Sequence, residues 1–290
     1  MTMSHATPSK AILITGCSSG IGKATALRLA RAGHAVYATA RRPDSLNELT
    51  AAGCKALALD VNDEASMRQA VAEVERTHGA IDVLVNNAGY GQSGAVEEIP
   101  LDRVRQQFET NVFGLIRLTQ LVLPAMRRQG WGRIVNIGSM GGILTFPGGG
   151  VYHATKYALE ALSDALRFEV GGFGIAVSLI QPGLIRTEFS GTAVGSMGEL
   201  GGESSPYDGL NRAVARLTEE SYHKGPLSWL AGDPDDVAKV VQRAVEARSP
   251  RPRYKVTGSA HLLMRLRRLV PDTLWDSFLS TNYPRPGLPR

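Results

Sequence analysis

The sequence predicts an α/β fold: a doubly wound parallel sheet, three layers deep, in a single domain. Two patterns support this prediction. Short runs that are apolar throughout alternate with longer helical segments, and strands of that kind are buried on both faces of a parallel sheet. A glycine-rich turn also follows the first apolar run and opens the first helical segment. Because crossovers between parallel strands are right-handed, this alternation places helices on both faces.

The apolar runs predict seven strands with helices between most of them. The strands are expected at 10–15, 34–40, 54–60, 81–89 (with its turn), 132–139, 174–183 and 253–258. Helices are expected from the glycine turn to Ala32, then at 44–51, 63–78, 102–126, 151–170 and 233–247. Asp233 is expected to cap the last of these helices, because it stands directly before Pro234.

Two segments depart from this alternation, although no linker divides residues 1–290, which we expect to form one domain. Residues 190–209 are rich in Gly and Ser and poor in large apolar residues, so a mobile lid over a site is predicted across 190–230. A plain surface loop is the alternative. Residues 259–290 form a C-terminal extension, in which 261–279 is an apolar and basic amphipathic stretch interrupted at Pro271. Packing on its own domain, a subunit contact and a membrane surface are the three interpretations.

The charge pattern argues against nucleic-acid binding and a membrane span. Lysine and arginine number 32, against 27 aspartates and glutamates, which gives a net charge of +5. The densest basic run, 265–268, is too short for the Lys/Arg stripe of a nucleic-acid-binding protein. An anionic cofactor explains the modest excess equally well. No apolar stretch approaches the roughly 18 residues of a membrane span.

The cysteines and histidines predict neither a disulfide framework nor a metal site. Cys17 and Cys54 are too far apart in a chain of this length for either. No cluster of His, Cys and carboxylate residues has the spacing of metal ligands. Two isolated thiols suit a reducing compartment, so we expect a cytoplasmic protein.

The glycine-rich turn, residues 15–22 with the sequence TGCSSGIG, has the features of a phosphate-binding turn. A sharp turn, the approach of a pyrophosphate to the backbone and close packing of helix on strand each favour a residue without Cβ. The N-terminus of the following helix then offers free N–H groups to phosphate. The position between the first strand and the first helix makes this interpretation specific.

Further motifs complete a family pattern. NNAG at 86–89, Ser139 after the fifth strand, a tyrosine and a lysine at 152 and 156, and PG at 182–183 follow the TGxxxGxG turn in order. In this respect the chain resembles the short-chain dehydrogenase/reductase family in its single-domain form, over about residues 11–187. The resemblance implies a Rossmann-type sheet, a nicotinamide cofactor and reversible oxidation of an alcohol to a carbonyl. The cofactor-binding residues that it implies, besides Arg41, are Gly16, Ser18, Ser19, Gly20, Ile21, Asp60, Val61, Asn86, Ala88, Gly89, Tyr152, Lys156, Pro182, Gly183 and Thr187.

The end of the second strand predicts which nicotinamide is bound. An acid on the ribose 2′-hydroxyl is typical of NAD sites, but the corresponding slot here is Ala40, followed by Arg41 and Arg42. Guanidinium groups bind a phosphate in a fork. We therefore expect NADP(H), with Arg41 as the contact to the 2′-phosphate; the alternative is that both arginines start a solvated helix. For Asp60, helix capping is the alternative to the adenine contact that the resemblance implies.

Tyr152 and Lys156 are expected to carry the acid chemistry. Residues four apart share one face of a helix, and a nearby ammonium lowers the pKa of a phenol from its usual value of about 10. Ser139 supplies a hydroxyl that can bind the substrate oxygen. The resemblance implies that Asn111 orders a water chain behind Lys156, with a helix–helix hydrogen bond as the alternative. His153 and Tyr157 point elsewhere around the helix, so they are interpreted as incidental.

The substrate and the assembly are less specified. Residues 141–150 are small and apolar, with Phe146 the main bulky group, which favours a hydrophobic carbonyl or secondary alcohol as substrate. The resemblance implies subunit pairing through the helix at 151–170, hence a homodimer or homotetramer. Two other functions stay open: an NAD-linked alcohol dehydrogenase, and a protein that senses the nucleotide without turnover.

Overall fold

The computed structural model describes residues 9–197, 205–223 and 228–288. Its sheet has seven parallel strands in the order β3-β2-β1-β4-β5-β6-β7. The strands are β1 (Ala11–Ile14), β2 (Ala35–Ala40), β3 (Lys55–Ala58), β4 (Val83–Asn86), β5 (Gly132–Ile137), β6 (Ile175–Pro182) and β7 (Arg253–Val256). Each lies within an apolar run that predicted a strand, so the parallel, doubly wound sheet is confirmed.

Helices cover both faces of the sheet. They are α1 (Gly20–Arg31), α2 (Asn47–Ala51), α3 (Glu64–His78), α4 (Leu101–Phe108), α5 (Gly114–Gln129), α6 (Gly150–Gly171), α7 (Phe189–Gly195), α8 (Asp208–His223), α9 (Pro234–Glu246), α10 (Gly258–Leu269) and α11 (Asp272–Ser280). Along β1, Ile12 and Ile14 belong to the core that α1 and α9 close, whereas Leu13 belongs to the core on the other face, closed by α3 and α5. This alternation of side chains gives the three layers.

The order of the strands reverses next to β1. That strand pairs with β2 on one side and with β4 on the other, with Ile14 opposite Val85. In a parallel sheet, a crevice opens beyond the carboxyl ends of the strands at such a switch point, and ligands of open α/β sheets bind there. The glycine turn after β1 and the NNAG turn after β4 are therefore neighbours at this edge.

The long helix expected at 102–126 is interrupted. A π-helical turn, Glu109–Phe113, separates α4 from α5. Gly114 follows this turn and lies against the backbone of Val61, where a Cβ would come within 2.4 Å of the Val61 oxygen. Single π turns inside helices are frequent at functional sites, and this one contains Asn111.

The cap of α9 is as expected. Asp233 stands before Pro234, and its N–H donates to the carboxylate of Asp236 at 3.0 Å, in a capping box. The cap of α3 falls on a different residue from the expected alternative. Asp63, not Asp60, accepts the N–H of Ala65 at 2.9 Å. Capping therefore does not explain Asp60.

The segment expected to be a lid contains two helices, α7 and α8. The short helix α7 forms despite its glycines, because Ala193 and the following Met197 are buried and the hydroxyls of Thr192 and Ser196 bond back to carbonyls of the same turn. Residues 198–204 and 224–227, which the same expectation covers, lie outside the described residues. The lid remains a prediction.

The C-terminal helices pack on the domain along one side. Leu263 and Met264 of α10 form a cluster with Trp275 of α11, while Leu262 and Leu269 on the other side of α10 are exposed. Packing on its own domain is thus part of the role of this amphipathic stretch. None of the described helices is both long enough and apolar enough to cross a membrane.

Candidate active site

The turns after β1 and β4 are bonded to each other. The hydroxyl of Thr15 accepts the N–H of Asn87 at 3.0 Å and that of Ala88 at 2.9 Å. The Asn87 carboxamide donates to the carbonyl oxygens of Thr15 and Gly16, at 2.8 and 2.9 Å. Thr15 and Asn87 therefore hold together the two turns that border the crevice. Sequence reasoning missed both as positioning residues, although both stand inside the quoted motifs.

The glycine turn leaves room for a group that approaches the backbone closely. Gly16 has φ +70° and lies 3.0 Å, measured from an ideal Cβ, from the Cα of Ala88. A Cβ on Gly22 would come within 2.2 Å of the Gly16 oxygen, and one on Gly20 (φ +53°) would stand 3.4 Å from Thr187. Ser19 makes no side-chain cap bond to α1. The turn thus fits the pyrophosphate of a dinucleotide, with the N-terminus of α1 facing it.

Arg41, Asp60 and Val61 gather beyond β2 and β3. These strands are neighbours, and the Leu59 N–H donates to the Ala40 oxygen at 3.0 Å. Arg41 is exposed, and among the described residues its guanidinium makes no hydrogen bond or ion pair. Asp60 is half-buried, and its carboxylate accepts the N–H of Asn62 at 2.9 Å. At this edge of the sheet, the Arg41 guanidinium has no partner among the described residues, and position 40 carries an alanine rather than a carboxylate.

The side chain of Asn86 faces the interior of the sheet. Its carboxamide donates to Asn136 at 2.9 Å and to Thr119 at 3.2 Å, and Asn136 donates to Ser163 at 3.0 Å. This buried network links β4 and β5 to α5 and α6. Only the backbone of Asn86, with Ala88 and Gly89 after it, remains to face a ligand.

Tyr152 and Lys156 lie one turn apart near the start of α6. The Lys156 Nζ is 5.7 Å from the centre of the Tyr152 ring. It also donates to the carbonyl oxygen of Ile137, at the end of β5, at 2.9 Å. Burial lowers the pKa of Lys156 to about 8. The structure therefore brings together the expected pair and holds the ammonium away from bulk water.

Ser139 lies directly after β5, where its hydroxyl accepts the N–H of Gly141 at 3.0 Å. This bond caps the 3-10 turn Met140–Gly142. Because an N–H occupies a lone pair of the hydroxyl, its proton stays available for an acceptor such as a substrate oxygen.

Asn111, in the π turn, bonds to the loop after β4 and to α6. Its Oδ1 accepts the N–H of Tyr90 at 3.1 Å, and its Nδ2 donates to the Tyr90 oxygen at 2.9 Å and to the Thr155 hydroxyl at 3.1 Å. Gly89 is so close that a Cβ there would stand 3.0 Å from Oδ1. The helix–helix hydrogen bond is present, and the carboxamide links the loop at Tyr90 to α6 at Thr155. Its role in a water chain stays a prediction.

Pro182 ends β6, and Gly183 and Thr187 follow it on the far side of the crevice. A Cβ on Gly183 would meet Ser259 at 2.3 Å, and the Ser259 hydroxyl accepts the N–H of Leu184 at 3.1 Å. Next to it, Thr257 has φ 83° and ψ 155°, a conformation that is essentially restricted to glycine. Thr257 and Ser259 support this turn, and no sequence motif marked them.

An apolar cavity of about 260 Å³ opens beside Tyr152. Its apolar walls come from the loops after β5 and β6 and from α7, α8, α10 and α11: Met140, Phe146, Leu184, Phe189, Ala193, Val214, Leu217, Leu263, Phe278 and Leu279. The ring of Phe189 stands 5.1 Å from that of Tyr152. The shape and lining fit an apolar molecule with one end at the tyrosine.

His153 lines the same cavity, a position that its interpretation as incidental did not anticipate. Its Nδ1 accepts the N–H of Phe146 at 3.2 Å, and burial lowers the pKa of the imidazole to about 4. The 100° turn of a helix separates it from Tyr152, but the loop after β5 folds over both. Tyr157 is exposed on α6. Within the described ranges, no three His, Cys, Asp or Glu residues form a metal-binding group.

Comparison with known proteins identifies the family pattern independently. Residues 10–196 match the family model described as short chain dehydrogenase. The oxidoreductase YbbO of Escherichia coli is 38% identical over 271 residues, which cover 93% of this chain and 94% of that protein. The 3-ketodihydrosphingosine reductase of Bacteroides thetaiotaomicron is 36% identical, over 94% and 97% of the two chains.

Solved structures agree with the architecture. A short-chain dehydrogenase from Streptomyces avermitilis has a TM-score of 0.75 and 36% identity, with 97% of each chain covered. A serine dehydrogenase complexed with NADP+ has a TM-score of 0.72 and 29% identity, over 85% and 94%. A short-chain dehydrogenase from Burkholderia phymatum in complex with NAD has a TM-score of 0.76 and 25% identity, over 98% and 99%. Both nicotinamides thus occur among these structural neighbours.

Proposed function

The chain belongs to the short-chain dehydrogenase family, an oxidoreductase family that binds a nicotinamide cofactor, and from that premise we propose that it transfers hydride between NADP(H) and a hydrophobic carbonyl or secondary alcohol. One observation carries this proposal: Tyr152, with the ammonium of Lys156 one helical turn away, lines an apolar cavity that is also lined by Met140, the residue after Ser139. An apolar wall with a few polar groups at one end is typical of a small-molecule site.

The proposed chemistry assigns a proton to Tyr152. The carbonyl oxygen of the substrate accepts hydrogen bonds from the hydroxyls of Tyr152 and Ser139. The nicotinamide, when bound, supplies the hydride for reduction and accepts it in oxidation. Tyr152 gives its phenolic proton to the oxygen as this becomes an alkoxide, and takes it back in the reverse direction. The Lys156 ammonium stabilises the phenolate that remains.

Arg41 supports NADP(H) as the cofactor. The guanidinium is exposed, and it makes no ion pair in the described part of the chain, so it is available to a 2′-phosphate. Position 40 carries an alanine, which would not repel that phosphate. An NAD-linked alcohol dehydrogenase is the alternative, and the NAD complex of a relative keeps it open.

The remaining cofactor contacts are proposed by position. The turn after β1 would hold the pyrophosphate, Asp60 and Val61 the adenine, and Pro182, Gly183 and Thr187 the carboxamide end. Gly20 and Thr187 approach each other across the crevice, which supports their sharing one ligand.

Subunit pairing through α6 and the neighbouring π turn is also proposed, as a homodimer or homotetramer. Phe168 on α6 is 87% exposed and Phe113 in the π turn is 51% exposed. Large apolar groups left open on adjacent helices favour a subunit contact. The two cysteines are free and buried, which suits the reducing cytoplasm that we propose as the location.

The first experiment follows NADPH absorbance with a panel of hydrophobic ketones and aldehydes, and with NADH in parallel. We expect turnover with NADPH. If no carbonyl is reduced and no secondary alcohol is oxidised while NADPH binds tightly, the protein is a nucleotide sensor rather than an enzyme. Turnover with NADH alone would overturn the cofactor assignment.

A further inference from the structure

His153 carries a hydrogen-bond donor that the proposed reaction does not use. The Phe146 N–H donates to its Nδ1 at 3.2 Å, so Nδ1 is the unprotonated nitrogen of a neutral imidazole. The proton then stands on Nε2, which is a donor. The ring is 9% exposed, and Nε2 bonds to none of the described residues. Nε2 is not among the buried side-chain atoms that lack a partner in the described residues, so it opens onto the cavity that His153 lines, where a bound molecule can accept its proton.

Two glycines keep the space around this nitrogen open. An ideal Cβ on Gly149 would stand 3.0 Å from Nε2, and one on Gly141 would stand 3.2 Å from it. Gly149 lines the cavity together with His153. Any side chain at either position would cover the donor or displace the ring. The loop after β5 is therefore built so that Nε2 remains accessible.

The donor lies close to the reacting groups. The hydroxyl oxygen of Ser139 and the Nε2 of His153 stand 3.3 and 3.2 Å from the same point, the ideal Cβ of Gly141. The rings of Tyr152 and His153 are 5.6 Å apart between centres. A substrate whose carbonyl oxygen is held by Ser139 and Tyr152 thus places the neighbouring one or two carbons near Nε2.

We propose that His153 Nε2 forms an oxygen-binding subsite next to Ser139, and that the substrate carries a second hydroxyl or carbonyl oxygen one or two carbons from the carbonyl that is reduced. The substrate class is therefore an apolar hydroxyketone or dicarbonyl, not a simple ketone. This inference rests on the proposed function for the position of the reacting carbonyl. His153 acts on specificity, since it binds the substrate and takes no part in proton transfer.

The polar groups of the cavity also point to His153. Besides Tyr152 and His153, the polar side chains that line it are Ser93, Thr218, Glu220, Asn282 and Tyr283. Of all these groups, the contacts of Gly141 place His153 next to Ser139. A site built to bond a substrate hydroxyl rejects the analogue that lacks it, because the donor of the site is then left unpaired.

Benzil and deoxybenzoin test the subsite, because they differ by one carbonyl oxygen next to the reacting carbonyl and neither has a hydroxyl that NADP+ could oxidise. Calorimetry should show that the wild type with NADP+ bound holds benzil about tenfold more tightly, the effect of one hydrogen bond. His153→Phe should bring this ratio close to one, and His153→Gln, which keeps a donor, should restore part of it. Tyr157→Phe, a matched loss of a polar group on the exposed side of α6, should keep the ratio.

Equal affinities in the wild type would overturn the subsite without any variant. A ratio that survives in His153→Phe would do the same, and so would a loss that the two ketones share equally, since that result assigns His153 to support of the loop alone. NADPH oxidation is measured separately with both ketones. A binding ratio without turnover would remove the proposed reaction and retain the subsite.

Discussion

The Lys156 ammonium donates to the carbonyl oxygen of Ile137 at 2.9 Å, and this bond, its one hydrogen bond to the described residues, holds the charge of α6 at the end of β5. The side chain is 8% exposed. A buried ammonium with one neutral acceptor is unfavourable for folding, and accordingly burial lowers the pKa of Lys156 to about 8. The buried ammonium that the proposed reaction needs therefore lowers the free energy of unfolding.

Lys156→Met is expected to raise the free energy of unfolding at pH 7 by roughly 2 kcal/mol and to remove turnover. The pKa of Lys156 in the folded chain, about 8, lies below its usual value of 10.5. The unfolded chain binds the extra proton between these values, so wild-type stability rises with pH across this window and the advantage of the variant shrinks. Urea denaturation at pH 7 and pH 9.5 measures it. An advantage that is equal at both pH values would contradict the burial argument.

Tyr152→Phe is expected to lower kcat by roughly a hundredfold to ten-thousandfold, the usual contribution of a positioned acid. The phenyl ring keeps the contact with Phe189, so NADPH binding should change little. Stopped-flow absorbance gives the rate and fluorescence titration gives the dissociation constant. Tyr157→Phe is the matched control. Turnover that survives in Tyr152→Phe would assign the proton to another group.

Arg41→Ala is expected to weaken NADPH binding by roughly tenfold or more, since a charge-assisted bond to a phosphate is lost. NADH lacks that phosphate, so its binding should be unaffected. Arg42→Ala removes an equally exposed neighbouring cation and serves as the control. Titration of both nucleotides against the three proteins gives the answer. If Arg41→Ala weakens both nucleotides alike, the arginine does not read the 2′-phosphate.

His153 should make the wild type sensitive to acid. Burial lowers its pKa from 6.5 to about 4, so the unfolded chain takes up a proton first as the pH falls. Stability is complete above pH 6.5 and is lost progressively toward pH 4, by roughly 3 kcal/mol. His153→Phe lacks this proton and should lose less stability over the same window. Thermal denaturation at pH 7 and pH 4.5 compares them, and parallel losses would show that the imidazole does not titrate there.

The strands and the crevice could be predicted from the sequence because both depend on local pattern. Runs such as 11–14 are apolar throughout, and the motifs that follow β1, β4, β5 and β6 all fall at the carboxyl edge of a parallel sheet. Glycine was expected at 16, 20 and 22 because a sharp turn and close packing favour a residue without Cβ. In the structure Gly16 and Gly20 have positive φ, and a Cβ on Gly22 would clash with the Gly16 oxygen.

Features that depend on contacts between distant segments could not be predicted. The apolar periodicity continues through 102–126, so the sequence gives no sign of the π turn. In the structure this turn directly precedes Gly114, which packs against Val61 from a distant part of the chain. The helical angle between Tyr152 and His153 is known from sequence, but the fold of the loop that covers both is not. Thr257 gives no local sign of φ 83°, and the two glycines that pack closely against it, Gly183 and Gly232, are distant in sequence.

The wall of the cavity and the groups at its end come from different parts of the chain. Ser139 follows β5, and Tyr152 and Lys156 lie on α6, whereas much of the apolar wall is contributed by α7, α8, α10 and α11, most of it beyond the residues that match the family model. Mutations in these later helices can reshape the cavity without moving the acid or the glycine turn. Descendants of one ancestral enzyme can therefore come to act on different substrates while they inherit the same chemistry.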